Sequence, residues 1–233
     1  EKGVFWAGSD DGLVHVSKNH GATWSNCTPP ELPEWTLISN IEISPHNPRV
    51  VYLSAHKYKL DDRTPFLFKT EDEGKTWSLI TKGIPSEEFT RVIKEDPVQS
   101  GLLYCGTELG IYVSFDAGGN WQSLQNNLPI VPIHDLVIKN NDLVAATHGR
   151  SFWIFDNLNV VRQIFVSELN SDVKLFKPAP YVRNLSAVGG LRGGKSGKNY
   201  SIGAGVALTF EETTDAYGQT HKTFLDAGQN PHE

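Results

Sequence analysis

Short runs of β-branched and aromatic residues recur along the first two thirds of the chain. Each is closed by Gly, Pro, Asn or Asp: 4–7, 41–43, 50–53, 66–68, 77–80, 90–94, 101–106, 111–114, 121–124, 133–138, 143–146 and 151–155. Runs of this length and composition, bounded by turn formers, predict strands. None approaches the ~18 apolar residues of a membrane span.

The turns themselves repeat. Ser17-Lys18-Asn19-His20-Gly21-Ala22-Thr23-Trp24 returns as Thr70-Glu71-Asp72-Glu73-Gly74-Lys75-Thr76-Trp77, and again as Ser114-Phe115-Asp116-Ala117-Gly118-Gly119-Asn120-Trp121. The shared pattern is Ser/Thr-x-Asp/Asn-x-Gly-x-x-Trp, the Asp-box or BNR hairpin. Its three copies are in phase with the surrounding strands, at one per roughly 40 to 50 residues and four strands, which is the period of a β-propeller blade. The predicted fold class is therefore all-β: a partial β-propeller of about three and a half four-stranded blades, plus an irregular Gly-rich tail. The blades fall at about 1–30, 36–82, 88–128 and 130–156, with a short connector to 166. The first enters at its second strand and the fourth has no Trp motif. Closed propellers have four to eight blades, so the chain reads as a piece of a larger propeller that the rest of a parent protein would complete.

Composition sharpens this division. The 233 residues carry 21 Lys+Arg and 27 Asp+Glu, and the net charge of −6 belongs entirely to residues 1–166, since 167–233 balance. That sign argues against a broad nucleic-acid surface. Two cysteines, Cys27 and Cys105, make no disulfide framework and no zinc spacing. No basic segment followed by an apolar stretch marks a signal peptide. Glycine is denser beyond residue 166, which predicts a linker at 167–233 with at most one short strand at 206–210. Gly189 to Ser196 fits the phosphate-loop pattern G-x-x-x-x-G-K-[ST], but neither a buried strand before it nor a helix after it is predicted. No cofactor is expected.

The repeated hairpins carry tempting carboxylates. In the motif, Ser17, Thr70 and Ser114 with Asn19, Asp72 and Asp116 are expected to bind the turn's own N–H groups. Gly21, Gly74 and Gly118 supply the backbone angle, and Trp24, Trp77 and Trp121 pack into the blade. Asn19 cannot act as acid or base, so the role is structural. Function belongs on the opposite face, where second and third strands meet. Those turns hold Asp10, Asp11, Asp61, Asp62, Glu108, His148 and Arg150, acids with one His and one Arg that suit a cationic group, a sugar or a peptide. His148 has no second His at ligand spacing, so no metal is expected.

Residues 3–165 resemble the BNR/Asp-box propellers related to the sortilin (Vps10) N-terminal domain, and the large bacterial proteins labelled as BNR-repeat glycosyl hydrolases. The likeness rests on 6–12, Tyr58-Lys59-Leu60-Asp61-Asp62, Phe89-Thr90-Arg91-Val92 and 146–154. It implies a secreted, periplasmic or envelope setting, a C-terminal domain following the Gly-Gln-Asn-Pro segment at 228–231, and a peptide, protein or polysaccharide ligand. Two readings follow: a non-enzymatic binding module, or a glycoside hydrolase with paired acids across a cleft. No catalytic Asp motif of the second kind matches a position here.

Overall fold

The computed structural model describes residues 2–166, 175–178, 197–203 and 206–225. Four antiparallel sheets follow one another along the chain. The first holds β1 (Phe5–Gly8), β2 (Val14–Ser17) and β3 (Ser25–Asn26). The second holds β4 (Leu37–Ile43), β5 (Val51–Lys57), β6 (Asp62–Thr70) and β7 (Ser78–Leu79). The third holds β8 (Thr90–Glu95), β9 (Leu103–Thr107), β10 (Ile111–Ser114) and β11 (Trp121–Ser123). The fourth holds β12 (Ile133–Lys139), β13 (Asp142–Thr147) and β14 (Phe152–Phe155). The opening strands β4, β8 and β12 pack side by side, so the sheets stack as propeller blades.

Period-two side chains build the cores. In β9, Leu103 and Cys105 face the second blade, packing with Tyr52, Leu67, Ile80, Ile93 and Trp121, while Tyr104 points the other way, against Ile133, Leu136 and Leu143 of the fourth. A strand buried on both faces reads as an unbroken apolar run. Strand β14 alternates instead: Phe152 and Ile154 are exposed while Trp153 and Phe155 pack inward.

The repeated hairpins are held through their own polar groups. Asp72 Oδ1 accepts from Thr70 Oγ1 (2.8 Å) and from the Lys75 and Thr76 N–H groups (3.0 and 2.9 Å), and Oδ2 from Thr76 Oγ1 (2.7 Å). Asp116 accepts from Ser114 Oγ and the Asn120 N–H, and Asn19 from Ser17 Oγ and the Thr23 N–H. These bonds, first those from Thr76, hold the Asp72 carboxyl down at about 2, so it stays ionised and has no proton to donate.

The motif also reaches beyond its own blade, which corrects the local reading of its tryptophans. Trp77 Nε1 donates to Cys27 O (2.7 Å) and Trp121 Nε1 to Ile80 O (2.6 Å), each a carbonyl just past the last strand of the preceding blade. Gly74 and Gly118 have φ of +84° and +94°, and a Cβ there would lie 2.9 Å from Trp6 and 2.7 Å from Ile80. Glycine is needed for the turn and for the approach of the neighbouring blade.

The fourth blade has no such hairpin and uses a helix. In the three motif copies a left-handed residue donates to the turn just before the second strand of the same blade: His20 N to Gly3 O, Glu73 N to Arg49 O, Ala117 N to Gly101 O. In the fourth, left-handed Asn157 precedes Leu158, whose N–H donates to Asn141 O, and α1 (Asn159–Val166) starts there. Arg162 of α1 places Nε at 3.0 and 2.9 Å from the two oxygens of fully buried Asp96, and Nη1 at 2.7 Å from Asn141 Oδ1.

The tail departs from expectation. The chain divides into compact units Glu1–Ala179 and Pro180–Glu233, later than residue 166. The second unit contains an antiparallel sheet of β15 (Gly197–Gly203), β16 (Val206–Thr214) and β17 (Thr220–Leu225), not one short strand in a linker. Averaged composition hid this, because Gly197 and Gly203 bracket a strand instead of interrupting one. Asp215 closes the second hairpin by accepting from the Tyr217 and Gln219 N–H groups. The phosphate-loop pattern at 189–196 and the segment 228–231 lie outside the described residues.

Candidate functional site

The turns that join second to third strands emerge at the end of the blades opposite the Trp hairpins, because successive antiparallel connections alternate ends. The connectors between blades share that end. Residues from both kinds of segment meet there.

Arg91 at the start of β8 is the centre. Its guanidinium carbon lies 4.9 Å from the Phe89 ring centroid and 5.3 Å from that of Tyr58, and those two rings stack at 4.9 Å and 11°. Its Nε and Nη2 both donate to Glu108 Oε2, at 2.8 and 2.6 Å. The Glu108 N–H in turn donates to Phe89 O. Buried His56, at the end of β5, sits 5.1 Å from Tyr58 and 5.6 Å from Phe89. On the fourth blade, exposed His134 and His148 meet edge to face at 4.9 Å. Burial lowers the pKa of His134, helped by Arg91 and His148.

The candidate residues divide. Glu108 and His148 join this cluster. Asp10 lines a cleft of ≈ 200 Å³ with Trp35, Leu37, His56, Lys57, Lys59 and Leu60. Asp11 accepts from Ser9 Oγ and, through its carbonyl, from the Trp35 N–H. Asp61 is left-handed at φ 61° and exposed, closing the single 3-10 turn Tyr58–Leu60. Asp62 Oδ1 takes the Thr64 N–H at 2.9 Å, and hydrogen bonds from Thr64 lower its pKa. Arg150 is exposed, and its carbonyl accepts from Trp153 Nε1.

The sequence reading pictured several acids with one His and one Arg. The structure sets Arg91 against Glu108, with His56 on the Tyr58 and Phe89 rings and His134 paired with His148 on the next blade, while Asp11 and Asp62 serve their own turns. His56, Tyr58, Phe89, Arg91 and His134 were not singled out as site residues, although Tyr58, Phe89 and Arg91 fall in segments that carry the family likeness. His148 does have a histidine neighbour, brought from β12 by blade geometry. Among the described residues no three His, Cys, Asp or Glu side chains converge as a metal site. Burial raises the pKa of both thiols, Cys27 to about 11, so neither is a ready thiolate.

His56 makes acid stability a readout of this site. Burial first, then Arg91, lowers its pKa from 6.5 to about 4. A lowered imidazole pKa means that the unfolded chain binds the proton more tightly. The contribution is complete above pH 6.5 and is lost as pH falls toward 4. Urea unfolding of His56→Gln should show about 2 kcal/mol less loss over that interval than the parent chain. An unchanged pH dependence would show that His56 is not held neutral.

No protein-family model and no curated protein matches this chain. Solved structures do. YCF48 bound to D1 peptide aligns over 67% of this chain and 49% of its own, with 19% identity and a TM-score of 0.51. The extracellular domain of the putative one-component system BT4673 from B. thetaiotaomicron aligns over 67% of this chain and 20% of its own, at 17% identity and TM-score 0.52. The GH74 enzyme of Niastella koreensis aligns over 67% and 27%, at 16% identity and TM-score 0.51. The chain thus spans about half of YCF48 and about a quarter or less of the other two. The fold is that of a β-propeller. Among the described residues no helix is long and apolar enough to cross a membrane.

Proposed function

We propose that this chain is a ligand-binding scaffold module of the Asp-box, sortilin-like kind, extracellular or envelope-associated, that takes a peptide or protein segment on the face opposite its Trp hairpins. The observation that carries this reading is the Arg91 guanidinium stacked over Tyr58 and Phe89 and fixed by Glu108. A pre-positioned cation over aromatic rings suits a chain with carbonyl, carboxylate and apolar groups to offer. YCF48, of similar fold, is seen with a peptide bound. Asp62, an acid of the loop face, has its pKa lowered, whereas the general acid of a glycosidase needs one raised.

The test is a peptide array read with the whole chain, followed by titration of the best binders. Arg91→Gln and Tyr58→Ser should each weaken binding by about tenfold or more, as hot-spot truncations do. The reading fails if no peptide binds. It fails equally if the chain releases reducing sugar from a glucan and loses that activity in Asp61→Ala or Asp62→Ala.

A further inference from the structure

The charges around Arg91 are poised in an uneven way. Arg91 and Glu108 cancel through their 2.6 Å ion pair. Three bases stand around it: His56 from β5, ring to ring with Tyr58 and Phe89, His134 from β12, near enough to feel the Arg91 and Glu108 charges, and His148 from the β13–β14 turn, against His134. Lys57 and Lys59 flank it on the β5–β6 segment, with Asp10 across the cleft. Asp61 sits at the exposed tip of that segment, Asp62 is tied to Thr64, and Asp135 Oδ1, beside His134, accepts from the Leu136 N–H. Arg150 stands at the tip of the turn that carries His148. With its histidines neutral the centre is near zero charge. Protonating the exposed pair His134 and His148 would make it a cationic face, on a chain whose net charge is −6.

We propose that this face is a proton-gated receptor for acidic peptide segments, engaging side-chain carboxylates when His134 and His148 are protonated and releasing them as they deprotonate. The proposal rests on the peptide-binding reading above and adds its ligand charge and its regulation. Two clustered histidines beside a fixed guanidinium repel each other's protons, and an arriving carboxylate relieves that repulsion. Binding therefore takes up protons, and affinity rises as pH falls. The lowered pKa of His134, caused first by burial and then by Arg91 and His148 against the opposing charge of Glu108, agrees in sign. A peptide fits better than a sugar acid, because the adjoining cleft exposes Trp35 and Leu60 for apolar side chains. Glutamate side chains, at a pKa of ~4.3, stay ionised through the window in which histidine titrates.

The probes are fluorescein-labelled, amidated Gly-Glu-Glu-Leu-Glu-Glu-Gly and its Gln counterpart, read by anisotropy with the whole chain. Affinity for the Glu peptide should rise about tenfold from about pH 8 to about pH 6, with little change for the Gln peptide. His134→Asn with His148→Asn should flatten the response to about twofold or less, while His20→Asn, on the opposite face, should leave it intact. The Glu peptide binding with equal affinity at both pH values, or the double variant keeping the full response, would overturn the gating and leave peptide binding standing. Equal binding of the Gln peptide would overturn the charge preference. Polygalacturonate binding more tightly, with the same histidine dependence, would overturn the choice of peptide. Binding of neither peptide, nor of any on the array, would remove the underlying reading as well.

Discussion

Arg162→Met should destabilise the chain by about 3–5 kcal/mol, the largest loss expected for one charged side chain here. Asp96 is fully buried and accepts Arg162 Nε on both oxygens. Without the guanidinium its charge keeps only the Val98 and Gln99 N–H groups and the distant Tyr104 hydroxyl. Such an anion is poorly compensated in a low-dielectric setting. The same substitution loosens α1, which packs Val161, with Leu158 just before it, into the core shared by the third and fourth blades. Urea unfolding of Arg162→Met and Asp96→Asn checks this. Asp96→Asn strands the opposite charge, the Arg162 guanidinium, but should cost less, since that side chain is 10% exposed where Asp96 is fully buried, and an amide oxygen still accepts its Nε–H. Equal costs would show that the depth of the stranded charge does not set the loss.

The second large effect separates the tryptophans of the repeat. Trp121→Ala should cost about 3–5 kcal/mol, because the side chain fills the core between second and third blades. It also removes the Nε1 bond to Ile80 O, leaving that carbonyl without its indole donor. Trp24→Ala, at the same motif position, should cost under about 1 kcal/mol. The deciding difference is exposure, 46% for Trp24 against 2% for Trp121. Parallel unfolding curves measure both. Equal costs would mean that the motif stabilises its own turn alone and does not lock blades together.

That contrast marks what was legible in the sequence. Turn chemistry is local, so Ser/Thr, Asp/Asn and Gly at fixed spacing announced the hairpin and its hydrogen bonds. The tryptophan's partner belongs to the previous blade, 50 residues away for Trp77 and 41 for Trp121, and no spacing rule reports that. The site behaves in the same way. Glu108 and His148 stood out as charges in turns. Arg91 and His134 lie within strands, where a charged residue reads as the solvated side of a blade. They became a site only when blade stacking brought β8 and β12 beside the turns of their neighbours. Helix α1 was missed for a related reason. Its eight residues follow a strand with no motif, and its role depends on Asn141 and Asp96, carried by other turns.

The functional account joins these observations. Rigid blades, locked by Trp77, Trp121 and the Asp96–Arg162 pair, hold Arg91, Tyr58 and Phe89 in place before any ligand arrives. Pre-positioning lowers the entropy lost on binding. The neighbouring histidines set when the face carries charge. The central claim is that ligand binds at the end of the blades opposite the Trp hairpins. Hydrogen exchange of the whole chain, with and without the Glu-rich peptide at about pH 6, measures this most directly. The account predicts slowed exchange at the β5–β6 turn around Tyr58, at 88–91, around Glu108 and around His148, with the hairpins of Asn19, Asp72 and Asp116 unchanged. Protection confined to those hairpins, or spread evenly over both ends of the blades, would contradict it.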